Sequence, residues 1–276
     1  GSSLVRKFEK MKYNVLKVER KKLDLTIQSE VNSWIKKNKP DIIFHTAAKV
    51  GGILENSQKP ADFISENLQI QNNVITSAFN NGIKRLIFLG SACIYPISNK
   101  PIKENHLLGG KLESTNRAYS VAKISGIEMC RAFSEQYGVN YTSVQPNNLY
   151  GPCDNFTDDS AHVISSLFRK LYIAKNEKKK NCRIWGTGKP RREFLYVDDL
   201  VEALIIISER YDSIEPINVG SGEEINIKDL ASLIKKIVKF KGNLIFDKSY
   251  PDGVMRKLLN SEKITKLGWS AKVKLI

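Results

Sequence analysis

Tyr119 and Lys123 stand four residues apart in AYSVAK (118–123), a stretch that reads as the start of a helix. On a helix that spacing puts both side chains on one face, where an ammonium favours phenolate over the ordinary tyrosine value of about 10. Such a tyrosine can give or take a proton during a hydride transfer. Ser91 lies in GSACIYP (90–96), just past the apolar run RLIFL (85–89), where a hydroxyl can hydrogen-bond a substrate carbonyl. Two more residue types suit proton transfer near neutrality: the thiol of Cys93 and the imidazole of His162, classes with reference values of about 8.5 and about 6.5.

These residues need a scaffold, and the chain supplies one. Short β-branched runs, YNVLKV (13–18), DIIFHTAA (41–48), KRLIFLGS (84–91) and YTSVQP (141–146), alternate with helical stretches. The helices TIQSEVNSWIKKN (26–38) and ADFISENLQIQNNVITSAFNNG (61–82) act as crossovers, the second stopped near Gly82. Nearly continuous apolar strands ending in small residues suit a sheet covered on both faces, with functional loops at the strands' C-terminal ends. The expected fold is α/β, a doubly wound parallel Rossmann-type sheet with a smaller, partly interleaved C-terminal α/β domain. Residues 1–160 form the nucleotide-binding domain in this reading and 161–276 mainly the substrate domain, with 193–220 returning to the first.

Composition narrows the classes further. The chain has 276 residues, and 41% hydrophobic content is enough for a substantial core. No run of about 18 apolar residues and no cleavable leader pattern is present, so a cytoplasmic protein without a membrane partner is expected. Cys93, Cys130, Cys153 and Cys182 are widely spaced, which argues against a zinc ribbon or a disulfide framework and fits a reducing compartment; no metal site is expected. The net charge of +15 is mostly lysine scattered over helix surfaces, including Lys178 to Lys180, and no aromatic-rich RNA-binding motif accompanies it. No nucleic-acid partner is expected.

Cofactor preference can be read after YNVLKV. A sheet of this kind that binds NAD places a carboxylate there for the ribose hydroxyls, whereas NADP needs positive charge for its 2′-phosphate. Glu19 is followed by Arg20, Lys21 and Lys22, and the cations favour NADP. At the start, GSSLVRKFEK (1–10) reads as an amphipathic helix with no strand before it.

Taken together, AAKVGGI (47–53), KPADFI (59–64), LGSACIYP (89–96), AYSVAK, NNLYGPCDNF (147–156), HVI (162–164), WGTGKPRREFL (185–195) and PDGVMRKLL (251–259) resemble the extended short-chain dehydrogenase/reductase family, in family order over nearly the whole chain. The nearest resemblance within it implies epimerisation of GDP-4-keto-6-deoxy-D-mannose at C3 and C5, followed by NADPH-dependent reduction at C4. It assigns Tyr119 as the acid at the C4 oxygen, Lys123 to lower its pKa and hold the nicotinamide ribose, and Ser91 as third member. Cys93 and His162 become the epimerisation groups, and a 4-keto group does acidify the neighbouring C–H bonds enough for a thiol and an imidazole to exchange them.

For NADP the resemblance implies Gly1, Arg20 on the 2′-phosphate, Asp24, Leu25, Leu89, Gly90, Ser91, Ala92, Lys123, Pro146, Asn147, Asn148, Leu149 and His162. For substrate it implies Lys170, Trp185, Arg192, Asp252 and Lys257, and a basic and aromatic surface suits a nucleoside diphosphate. Lys170 stands where an arginine is expected, which keeps the charge and loses the two-pronged fork; Ala92 replaces a common second serine. Gly1 then becomes the third glycine of a phosphate-binding loop, so a first strand and two glycines are expected ahead of it, and a final helix after LGWSAKVKLI (267–276). A homodimer through paired helices is also implied. Rival readings are another nucleotide-sugar epimerase, such as a GDP-mannose 3,5-epimerase with no net reduction, and a noncatalytic nucleotide-binding relative.

Overall fold

The computed structural model describes residues 1–157, 161–250 and 252–275. Pro251 of PDGVMRKLL, Ile276, and residues 158–160 at the expected domain boundary lie outside them. The first half contains helices α1 (Ser2–Lys10), α2 (Gln28–Asn38), α3 (Ile53–Gln58), α4 (Pro60–Asn80) and α5 (Arg117–Tyr137), with strands β1 (Ile42–His45), β2 (Arg85–Leu89), β3 (Asn140–Pro146) and β4 (Asn148–Tyr150). The second contains α6 (Val163–Asn176), β5 (Asn181–Trp185), β6 (Arg191–Tyr196), α7 (Val197–Arg210), β7 (Ile217–Val219), β8 (Glu224–Asn226), α8 (Ile227–Val238), β9 (Asn243–Asp247), β10 (Arg256–Lys257) and α9 (Glu262–Lys266).

The main sheet runs β1-β2-β3-β7, all parallel. Strand β2 sits inside it with Leu86, Ile87 and Phe88 all buried, which explains its unbroken apolar run. Its side chains alternate between two cores. Leu86 and Phe88 join Val74, Ile75, Ala78 and Ile127 of α4 and α5, whereas Ile87 joins Leu4 of α1 and Leu200, Leu204 and Ile207 of α7. Gly126 lets α5 lie tight on β2: a Cβ there would stand 2.8 Å from Gln71 Oε1 and nearer still to the Phe88 ring.

A second unit is built from β10-β6-β4 in parallel order, with β8 antiparallel to β6, and from the parallel pair β5-β9 under α6 and α8. The expected return over 193–220 divides. Strand β6 belongs to the small sheet; α7 and β7 join the main one, because α7 carries the apolar stripe that covers Ile87 and Val144. A buried carboxylate ties the two units. Glu193 of β6 accepts from Asn147 Nδ2 at 2.5 Å, Leu259 N at 3.0 Å and Gly222 N at 2.7 Å.

One expected strand is absent. Residues 13–18 carry no strand pairing, and Tyr13, Leu16 and Val18 are exposed. A cleft of about 540 Å³, lined in part by Phe8, Val15, Ile43, Phe44 and Val31, separates them from β1, an outer strand of the sheet. Among the described residues the run pairs with no other segment.

Candidate active site

Ser91 leaves the C-terminal end of β2 in an extended conformation and organises the turn beyond it. Its N–H donates to Gln145 Oε1 at 3.0 Å, and its Oγ accepts from Cys93 N at 3.2 Å, capping the short 3-10 turn Ala92–Ile94. Ser120, next to Tyr119 on α5, donates its hydroxyl to Cys93 O at 2.9 Å. The Cys93 backbone is thus held from two sides. Farther along, Asn218 of β7 anchors the loop: its N–H donates to Glu104 Oε1, its side-chain amide donates to Ile102 O, and its Oδ1 accepts from the Tyr95 hydroxyl. Gly90 admits no side chain, since a Cβ would run into the Gln145 carboxamide.

Against this turn α5 presents Tyr119 and, one turn later, Lys123. Lys123 is buried, its Nζ donates to Leu89 O at 2.8 Å, and it lies 4.8 Å from the Phe88 ring centre and 6.0 Å from that of Tyr119. Burial lowers its pKa to about 8. The Tyr119 hydroxyl goes the other way. Burial pushes it up, the Cys93 charge adds to that, and only the Ser91 hydroxyl beside it favours the phenolate. The depression of Tyr119 expected from Lys123 is therefore not found here: the ammonium is tied to the Leu89 carbonyl, and desolvation of the phenolate outweighs it. A protonated Tyr119 at neutral pH is an acid, which is what a developing alkoxide needs.

Two residues of the small sheet reach the same place. Lys257 Nζ donates to Cys93 Sγ at 3.5 Å, and Arg192, its register partner on β6, feels the Cys93 charge as well. Farther out, Trp185 carries Lys170 Nζ 4.0 Å from its ring centre and Tyr250 stacked at 4.5 Å and 6°. Asp252 accepts from Thr187 N at 2.8 Å and Thr187 Oγ1 at 2.5 Å, fixing that loop. The result is a half-exposed cationic and aromatic wall suited to a nucleoside diphosphate.

Some expected members stand apart. His162 is the exposed N-cap residue of α6 and, among the described residues, makes no side-chain hydrogen bond to this cluster. Arg20 extends into solvent and pairs with Glu66 Oε1 at 2.9 Å, sharing that carboxylate with Lys49. Asp24 caps its own turn through Thr26, and Leu25 packs on the main core with its carbonyl accepting from Asn73. Asn147 and Asn148 are engaged with Glu193, between Pro146 at the end of β3 and Leu149 in β4.

The residues present fit a dinucleotide. Gly1 is the N-cap of α1, and its Cβ position is 3.5 Å from Thr46, just past β1. At the C-terminal ends of β1 and β3, His45 Nε2 and Gln145 Nε2 are buried without a partner, on either side of Gly90 and Leu89. Sequence reasoning missed Gln145, Ser120, Tyr250 and Glu193. The last had a signal: a lone carboxylate at the head of the apolar run FLYV (194–197).

His45 also yields a pH prediction. Burial, with the Lys123 charge beside it, lowers its pKa to about 3, so the folded protein keeps it neutral while the unfolded chain takes up a proton below about 6.5. Stability should therefore fall as pH drops from about 6.5 towards 3. Urea midpoints across that window should show the loss, and His45→Gln should flatten the curve; an unchanged slope would remove His45 as the cause.

Comparison with known proteins adds independent findings. A family model described as the NAD dependent epimerase/dehydratase family matches residues 1–227. The chain is 47% identical over 276 residues to a GDP-L-fucose synthase of Sinorhizobium fredii, covering 100% of this chain and 88% of that one. Among solved structures, a GDP-6-OMe-4-keto-L-xylo-heptose reductase from C. jejuni superposes with a TM-score of 0.93 at 37% identity, covering 100% and 90% of the two chains. A GDP-L-fucose synthetase from Naegleria fowleri bound to NADP gives 0.89 at 30%, covering 99% and 85%.

Proposed function

We propose that this chain, which belongs to the NAD dependent epimerase/dehydratase family, acts as a GDP-L-fucose synthase, converting GDP-4-keto-6-deoxy-D-mannose to GDP-L-fucose. Its cofactor is NADP(H). The observation that carries the reading is the meeting of Ser91, Cys93, Tyr119, Arg192 and Lys257 beside a cationic and aromatic wall, in a chain 47% identical to an enzyme of that name.

When bound, NADPH supplies the hydride for C4. Tyr119, held protonated by its surroundings, gives its proton to the C4 oxygen, and Ser91 hydrogen-bonds that oxygen. Lys123 lends its charge to the ribose side of the site. Before reduction, the C4 carbonyl acidifies C3 and C5, and Cys93 and His162 take a proton from one face and return one on the other. Lys170, Trp185, Arg192 and Asp252 bind the GDP portion. Gly1 and the start of α1 would hold the pyrophosphate of the cofactor, and Arg20, here paired with Glu66, would hold its 2′-phosphate.

The test is NADPH consumption. It should require GDP-4-keto-6-deoxy-D-mannose and yield GDP-L-fucose; no consumption would sink the reading. The close superposition on the heptose reductase favours one second reading, C4 reduction of a GDP-linked 4-keto-heptose without epimerisation. Solvent deuterium appearing at C3 and C5 decides for the first. No described helix is long and apolar enough to cross a membrane. A cytoplasmic homodimer built through paired helices of the nucleotide-binding domain completes the proposal, and a solution mass of one chain would refute the dimer.

A further inference from the structure

The Lys257 to Cys93 contact joins residues 164 positions apart, and the site's chemistry as proposed leaves it without a role. Strand β10 places Lys257 opposite Arg192 of β6 in parallel register, so both side chains leave the same face of the small sheet. That face looks onto the turn after β2. Arg192 is pinned there by the Val254 and Arg191 carbonyls. Lys257 reaches Cys93 Sγ at 3.5 Å, and among the described residues no carboxylate pairs with it. The Cys93 backbone is held by Ser91 at its N–H and by Ser120 at its carbonyl, and among the described residues the contact to Lys257 is the one hydrogen bond of the sulfur.

We propose that Lys257 is a positioning residue for Cys93: its ammonium donates to the sulfur and holds it at the place from which it exchanges protons with the substrate. A cation within hydrogen-bonding reach favours thiolate over thiol, and the thiolate is the form that can remove a proton. The groups facing the sulfur are Lys257 from β10, Arg192 from β6 and Tyr119 from α5, while Glu113 and Asp252 act on Arg192. Two cations against one neutral phenol leave the local balance positive. The arrangement also makes the small sheet a contributor to epimerisation, beyond its role in holding GDP. The inference rests on the proposed epimerase role of Cys93.

Thiol alkylation tests it without substrate or cofactor. In a Cys153→Ser background, which removes the exposed thiol, the rate of iodoacetamide labelling at Cys93 is followed by peptide mass spectrometry from pH 5 to pH 10; Cys130 and Cys182 are buried. Lys257→Met should raise the labelling midpoint by about one pH unit, slowing reaction at neutral pH about ten-fold, and Lys257→Arg should restore most of it. An unmoved midpoint in a Lys257→Met protein that melts like the parent overturns the inference. Should that variant fail to fold, Lys257→Gln carries the same expectation and the same refutation. A raised KM for the GDP-sugar with an unmoved midpoint would make Lys257 a substrate contact only, and would overturn it too. Failure of the NADPH assay leaves this measurement untouched, so the two outcomes are separable.

Discussion

Tyr119→Phe should lower the rate of NADPH oxidation by about 10²- to 10⁴-fold, the range expected when a positioned general acid is removed. The substitution takes away one oxygen and little else. The ring keeps its edge-on contact with Phe63 at 6.4 Å, and α5 keeps Ser120 on the Cys93 carbonyl. Without the phenol, the oxygen developing negative charge at C4 has only the Ser91 hydroxyl. Burial and the Cys93 charge hold Tyr119 protonated, which makes it an acid ready for use at neutral pH. The reduction should fail while exchange of C3 and C5 hydrogens with solvent continues. Stopped-flow absorbance reads the first and deuterium incorporation the second; reduction within a few-fold of the parent would remove Tyr119 from the mechanism.

Cys93→Ser should produce the complementary result: exchange at C3 or C5 falls by about 10²-fold or more while reduction survives. A serine hydroxyl is far too weak an acid to form its anion beside Lys257, whereas a thiol of ordinary pKa about 8.5 is within reach. The site around it should stay in place, because the bonds that hold residue 93 use its backbone N–H and carbonyl rather than its sulfur. The product should then retain the substrate's configuration at one or both centres, which NMR of the released sugar resolves. Exchange at the parent rate would dismiss Cys93. His162→Asn should impair exchange as well, and the two variants should differ in which hydrogen is retained.

Both predictions rest on pairings of unequal legibility. The Tyr119 to Lys123 spacing and the placement of Ser91 after β2 were readable because they depend on local geometry: one helical turn, and one strand end. The same holds for α4 and α5, whose apolar positions recur on one face, and for β2, whose unbroken apolar run reflects burial on both sides. The run at 13–18 was less legible, for the converse reason. Its residues have strand character, but pairing is a property of two segments, and among the described residues none pairs with it. Strand β6 joined the small sheet for a related reason, since its partners β4 and β10 come from distant parts of the chain.

By itself, then, the sequence determined which groups could act: a phenol and ammonium one helical turn apart, a hydroxyl and a thiol just past a buried strand, and cations and an aromatic for GDP. It could not determine the charge states those groups take. Whether Tyr119 is held as acid or phenolate depends on how deeply it is desolvated, and burial is a sum over segments distant in the chain. Nor could any spacing place Lys257 on the Cys93 sulfur. That contact exists because β10 pairs with β6, β6 is anchored through Glu193, and the folded chain delivers a cation to a thiol 164 residues away.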